Sequence, residues 1–476
     1  MTIPYLRRTL NSSSHLTRQL LNKTIVNNYR LLCITICRYI TLARFLAFRM
    51  LRSLTAGLLC AAALRPVIAA CEERQPAADI QAAPGVGFKL LKNDLRRPRQ
   101  VIVDSQDNLL VLAQGAGEVW RFVLDDQEGL DVCIDSLSVI LSNPDLTHSL
   151  ALSADGQTLF ASSSEDVYVY PYDPETGITG DPTVIITGMS DYGDHPTRTI
   201  LVPKQNPDLL IVAQGSKANL DEDAINIDSG IGQLRSFVID ELLSSSSPAT
   251  YTNGAVLGWG LRNVVGMTQD PLTGAIWSVD NAMDNFQRAG IDVHFNNPGE
   301  ELNFHGRPDG LDSTVFGQNF GYPDCVAIWD PSAIVDYAGT PETGKRMVGN
   351  QSRSLVSDLA CQTDYIPPRL TFGAHMAPLD IAFQEDGSAA FITFHGSWNR
   401  DTPVGYRLSL VRFSDGEPVA PGTSMDAEEP LLWNANIEQC PFDCFRPVSV
   451  TLDSSGRLFM TSDSTGELFV ITLDEA

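Results

Sequence analysis

The commonest local pattern along the chain is a β-rich apolar run, a short turn carrying Asp, Asn or Gly, and a second β-rich run. It occurs six times: RQVIVDSQDNLLVLAQG from Arg99 to Gly115, HSLALSADGQTLFASSS from His148, RTILVPKQNPDLLIVAQG from Arg198, VVGMTQDPLTGAIWSVDN from Val264, PLDIAFQEDGSAAFITFHG from Pro378 and RPVSVTLDSSGRLFMTSD from Arg446. Each copy predicts two strands of about five residues joined by a tight turn. Several continue into a third apolar run, at Glu118 to Leu124, Asp166 to Tyr172, Leu408 to Phe413 and Glu467 to Leu473. One such unit cannot bury both faces alone and must stack against its neighbours. The expected fold is all-β, a six-bladed β-propeller.

The turns stand 51 to 67 residues apart except between the fourth and fifth copies, where the gap is 116. That gap holds a Gly-, Pro- and Asn-rich excursion from about Ala282 to Ala377. A structureless insertion of this size in a compact domain is expected to be a functional loop, projecting over one end of the central channel.

Composition narrows the class. With 43% hydrophobic and 19% charged residues in 476, the chain is neither disordered, collagen-like nor a multi-span membrane protein. Its formal charge of −25 is uneven: residues 1–70 hold ten basic and no acidic side chains, leaving residues 71–476 at −35. So acidic a body repels phosphate backbones, and no nucleic-acid partner is expected. From Met50 the text MLRSLTAGLLCAAALRPVIAAC has an early Arg, an apolar run from Leu54 to Leu64 and small residues up to Ala70, the order of a secretory signal peptide cleaved near Ala69 or Ala70. The expected organisation is therefore 1–49 as a leader or upstream extension, 50–70 as signal peptide, and 71–476 as one catalytic propeller, secreted to the extracellular space without a membrane span. Six cysteines remain in that body, Cys71, Cys133, Cys325, Cys361, Cys440 and Cys444, so up to three disulfides are expected, paired between neighbours. Asn350-Gln351-Ser352 reads as a glycosylation sequon.

Candidate chemistry gathers where the repeats begin and end. DHPTRTIL sets His195 and Arg198 ahead of the third copy's inner strand; such a loop imidazole is either a general base aimed into the channel or a solvated histidine. GLRNVVG sets Arg262 and Asn263 ahead of the fourth copy, able to grip carboxylates and carbonyls of an anionic planar ligand or to brace two blades. HGSWNR, His395 to Arg400, ends the fifth copy with a flat aromatic among polar donors, while Arg446 opens the sixth copy and Arg99 the first. Arginines at corresponding points of several blades converge on one axis. In a chain this acidic, their focusing implies an anionic ligand.

These features resemble the soluble quinoprotein glucose and sorbosone dehydrogenases, and most closely the secreted fungal pyranose dehydrogenases that use pyrroloquinoline quinone (PQQ). The resemblance runs from about Leu90 to Leu473, on LRRPRQ (Leu95 to Gln100), DHPTRTI (Asp194 to Ile200), GSKAN (Gly215 to Asn219), GLRN (Gly260 to Asn263), EELNFHG (Glu300 to Gly306), GQNFGYPDC (Gly317 to Cys325), HMAPLD (His375 to Asp380), HGSWNR and CFRPVSV (Cys444 to Val450). It implies a sugar substrate, an aldose oxidised at C1 or a 2-keto aldose. His195 would be the base that takes the hydroxyl proton as hydride moves to the quinone. Arg262 and Asn263 would hold the cofactor, with Arg99, His395, Trp398, Asn399 and Arg446 completing the cradle. The resemblance also implies a calcium ion (Ca2+) that polarises the quinone, held in part by backbone near Asn281 and Ala282. Bacterial glucose enzymes have Gly-Pro at those carbonyls, and they orient the base with an aspartate where this chain reads VAQGSKAN. Electrons would leave to a separate acceptor, a cytochrome, another redox enzyme or a small quinone.

Two other classes compete. A calcium-dependent lactonase or esterase-type propeller hydrolase would explain His195 and a metal but not the arginines. A non-enzymatic binding propeller would explain the blades but neither His195 nor HGSWNR.

Overall fold

The turn inside five of the six copies is closed by its own aspartate. Asp104 accepts the backbone N–H groups of Gln106 and Asn108, both at 2.9 Å, and Asp453 those of Ser455 and Arg457 at 3.0 and 2.9 Å. Asp155, Asp270 and Asp386 each accept the N–H two residues on, at 3.0, 2.8 and 2.9 Å. A carboxylate that mimics a backbone turn in this way fixes the hairpin locally. The third copy has no such aspartate; its turn closes through the backbone, Leu209 N–H donating to the Asn206 carbonyl at 3.0 Å.

The computed structural model describes residues 73–126, 128–190, 193–311, 314–350 and 356–473. The expected leader, signal peptide and Cys71 lie outside them. The inner and second strands fall on the six repeats: Pro98–Val103 with Leu109–Ala113, Leu146–Leu152 with Thr158–Ser163, Ile200–Leu201 with Leu209–Gln214, Val264–Gln269 with Ile276–Asp280, Pro378–Phe383 with Ala389–Phe394, and Pro447–Leu452 with Leu458–Ser462. Each pair heads an antiparallel sheet of at least four strands, and the six sheets form the ring of a six-bladed propeller. The sixth blade takes its outer strand from the other end of the chain: Val86–Lys92 pairs antiparallel with Glu467–Leu473. Ile80–Ala82 likewise adds to the edge of the fifth blade, against Glu428–Asn434.

Each blade is sandwiched between two others, so its second strand is buried on both faces; Leu109–Ala113 is buried at all five positions. Such strands read as unbroken apolar runs rather than alternating ones. Six hydrophobic clusters fill the six gaps between blades, for example Leu110, Leu112 and Val119 of the first against Leu150, Leu159 and Tyr170 of the second. The gap between the sixth and the first, closing the ring, is filled by Phe459, Leu468, Leu109 and Val111. A smaller cluster of Val265, Leu379 and Val448, from the inner strands of three blades, packs in the channel itself.

The excursion differs from expectation because part of it is blade. Glu300–Phe304 and Leu370–Phe372 are the third and fourth strands of the fourth sheet, and Gln318–Asn319 extends the third sheet. What projects is shorter: a hairpin of Cys325–Ala327 and Arg346–Val348 and a helix Asp358–Thr363, seated over Ile231, Met283, Phe286 and Tyr322. Cys325–Cys361 and Cys440–Cys444 are disulfides between neighbours, as expected. Asn350 does not present a free acceptor: it is buried and its amide donates to Glu222 at 3.1 Å, which argues against glycosylation at the sequon.

Candidate active site

All the sequence-selected arginines and histidines sit at one end of the ring, where inner strands begin and second strands end. They form two groups.

The first lies between the third and fourth blades. His195 is half-buried, and its Nδ1 lies 2.8 Å from the Ser216 carbonyl and 3.0 Å from the Ser216 hydroxyl. A carbonyl only accepts, so Nδ1 carries the proton and Nε2 the lone pair. Nε2 has no hydrogen-bond partner among the described residues. Burial, and then the positive charge of Arg262, hold the ring's pKa down at about 3. Arg262 is itself buried. Its guanidinium donates to the Asn219 carbonyl and side chain at 3.3 and 3.0 Å, to the Asn281 carbonyl at 3.1 Å and to Asp284 at 3.3 Å. The main chain of Arg262 and Asn263 is clamped by Asp280, which accepts both N–H groups at 3.0 and 2.6 Å; burial, then Glu301, push its carboxyl up to about 7. Among the described residues the buried Asn263 Oδ1 has no hydrogen-bond partner, and a Cβ on Gly215 would come within 2.8 Å of it.

The second group lies where the fifth, sixth and first blades meet. Asp463 joins two expected residues, accepting from Arg99 at 2.7 Å and from His395 Nε2 at 2.8 Å. These partners hold its carboxyl well below the usual range in spite of burial, while burial outweighs Asp463 and lowers the His395 pKa. Arg446 donates to the carbonyls of His395 at 3.0 Å and Gly396 at 2.8 Å and lies over the Tyr406 ring, 5.4 Å from its centroid. Among the described residues Arg446 has no ion-pair partner.

The rim connects the groups. Trp398 stands out 69% exposed, and Asn399 donates to Asn285 at 3.0 Å, tying HGSWNR to the loop after the fourth blade's second strand. Arg198 faces away from the channel: it donates to the carbonyls of His195, Thr197 and Ser190 at 2.6 to 2.8 Å and braces the loop that carries His195. Ala282 is held through its N–H by Glu300 at 2.7 Å. Among the described residues no cluster of three His, Cys, Asp or Glu side chains stands ready for a metal.

Several site residues carry no role in the sequence reading: Ser216 and Asn219 within GSKAN, His375 within HMAPLD, and Asp280, Asp284 and Asp463. His375 donates from Nε2 to the His294 carbonyl at 2.6 Å and faces Asp284 through Nδ1 at 3.2 Å, a pairing that raises its pKa against the effect of burial. The one available signal was position, since Asp463 directly follows a second strand, as Asn281 does in the fourth blade.

A family model described as TrAA12-like matches residues 80–474. The chain is 42% identical over 394 residues to a pyrroloquinoline quinone-dependent sugar dehydrogenase of Hypocrea jecorina, which covers 82% of this chain and 88% of the relative. It is 33% identical over 413 residues to a pyrroloquinoline quinone-dependent pyranose dehydrogenase of Coprinopsis cinerea, covering 83% of this chain but only 55% of that longer protein. Among solved structures it is similar to the calcium structure of the Trichoderma reesei Carbohydrate-Active Enzymes Family AA12 protein, with TM-score 0.80 and 41% identity over 84% of this chain and 98% of that one. It is also similar to the holo form of the pyranose dehydrogenase PQQ domain from Coprinopsis cinerea, with TM-score 0.78 and 31% identity over 84% and 99%.

Proposed function

The chain belongs to the TrAA12-like family, and from that premise we propose that it is a PQQ-dependent dehydrogenase of pyranose sugars. The observation that carries the reading is Arg446. Burial pushes its pKa down, its donors reach only carbonyls and an aromatic face, and no carboxylate pairs with it among the described residues. Asp463 attracts that half-buried guanidinium only through space, and an anionic planar ligand would give it a direct partner. Arg99 and Arg262, already shared with Asp463 and Asp284, then supply directed donors on two sides, and the open Asn263 carboxamide adds a polar edge. Lactone hydrolysis needs no such anion cradle.

PQQ, when bound, supplies the two-electron acceptor for the hydride that leaves the sugar carbon. The chain's part is to align and deprotonate the sugar. The hydroxyl O–H bond breaks with its proton going to His195 Nε2, the C–H bond breaks with its electron pair leaving as hydride, and the carbonyl forms. Arg99, Arg446, His395, Arg262 and Asn263 would hold the cofactor, with Trp398 and Asn399 at the rim. For calcium the candidates are the backbone carbonyls of Asn281 and Ala282; the Asn281 oxygen already accepts from Arg262 at 3.1 Å and keeps a second lone pair. The electrons pass on to a separate cytochrome, redox enzyme or small quinone. Residues 50–70 act as the export signal, and a mature N-terminus at Ala70 or Cys71 is the expected result of N-terminal sequencing.

The test is a thermal melt. PQQ in excess should raise the melting temperature by mass action, and Arg446→Ala should remove most of that rise. A melting curve unmoved by saturating PQQ, with and without calcium, would contradict the proposal.

A further inference from the structure

The proton acceptor is oriented by a group without charge. His195 Nδ1 rests on the Ser216 main-chain carbonyl at 2.8 Å, and the Ser216 hydroxyl is turned to the Ala218 carbonyl at 2.8 Å. Ser216 is 1% exposed, and its own N–H donates to the Arg262 carbonyl at 2.7 Å, so the orienting carbonyl is fixed to the strand junction that also holds Arg262. The same structure shows the alternative at His395, whose ring nitrogen meets the Asp463 carboxylate at 2.8 Å. Either partner fixes a tautomer and favours the protonated ring, but a carbonyl does so less than an anion, and at His195 burial and Arg262 outweigh it.

We propose that Ser216 is the positioning residue of His195: its carbonyl sets the Nδ1–H tautomer where no carboxylate stands, so Nε2 keeps its lone pair, and the enzyme its base, in acidic solution. The inference rests on the reading of His195 as the base. The charged and titratable groups around the ring agree with it. Arg262 faces it from the junction of the third and fourth blades, and Arg198 from its own loop. Asp284, the anion near it, is already paired with Arg262 and His375. The Tyr322 hydroxyl lies under the 218–221 backbone, donating to the Asn219 carbonyl at 3.1 Å. Asp194 and Lys217 are joined through their backbones, and the Lys217 ammonium pairs with Asp223. The balance near the ring is cationic, which opposes protonation.

The test reads the ring directly. In protein with 15N-labelled histidine, the His195 side-chain signals are assigned by their loss in His195→Gln and followed from pH 7.5 to pH 4. The expected result is a neutral Nδ1–H ring throughout and an acid limb of kcat/KM that does not fall near pH 6 to 7. Ser216→Asp should bring the titration, and that limb, upward by a pH unit or more, while Ser216→Ala should keep the tautomer because the carbonyl is main chain. A wild-type midpoint near 6.5, or an Nε2–H tautomer, overturns the inference even if Ser216→Asp fails to fold. Sugar oxidation persisting in His195→Gln would instead overturn the choice of base, a separate failure.

Discussion

His195 and His148 stand near corresponding points of neighbouring blades, and burial holds both rings near a pKa of 3. Their surroundings assign them differently. His148 is 3% exposed and donates from Nε2 to the Val265 carbonyl at 3.2 Å, across the channel. His195→Ala should therefore lower the sugar-oxidation rate by roughly 10²- to 10⁴-fold with PQQ affinity nearly intact, whereas His148→Ala should cost mainly stability; rates and PQQ titrations of the two variants decide. His305 gives the pH prediction. Its pKa is lowered to about 3 by burial alone, so the unfolded chain binds that proton first and stability is lost as pH falls from 6.5 toward 3. His305→Phe should make unfolding free energy less steep on acidification by up to about 1.4 kcal/mol per pH unit in that window, measured by urea melts. Candidate residues were legible where the side chain is distinctive: His195, Arg262 and Arg446 all reach the site end. Asp463 was not, because an aspartate in a DSTG turn looks like any turn aspartate until ring closure brings it 2.7 Å from Arg99, 364 residues earlier.

At the scale of elements, the hairpins were legible because their causes are local: two apolar runs and an aspartate that closes its own turn. The outer strands were not, since Leu370–Phe372 pairs with Glu300–Phe304 across a long insertion and has no repeat signature of its own. The same insertion supplies a support that no local pattern announces. The Tyr322 hydroxyl accepts the Asp221 N–H at 2.8 Å and donates to the Asn219 carbonyl at 3.1 Å, holding the loop that meets Arg262. Tyr322→Phe leaves a buried N–H unpaired, at a cost of about 1–3 kcal/mol. The expected outcome is a lower melting temperature and a weaker PQQ dissociation constant, with a smaller change in sugar KM.

At the scale of the molecule, six blades were countable from six repeats, but how the ring closes was not. The closing strand Val86–Lys92 precedes the first repeat and joins the last, a pairing that depends on contacts between the two ends of the described chain. Leu90, 2% exposed in the cluster between the fifth and sixth blades, carries part of that closure. Leu90→Ala should cost about 2–5 kcal/mol in chemical denaturation, and it should loosen Arg99 and Asp463 together because both sit at the closing junction. No helix among the described residues is long and apolar enough to cross a membrane. In the proposed function the arginines at one end of the ring answer to a single demand, an anionic cofactor held over the channel against the repulsion of an acidic body. The most direct measurement of that claim is dye reduction by the purified protein across a panel of pyranose sugars, with and without added PQQ and calcium. The account predicts sugar-dependent reduction only when PQQ is present, lost in His195→Ala; reduction independent of PQQ, or none with any sugar at saturating PQQ, would contradict it.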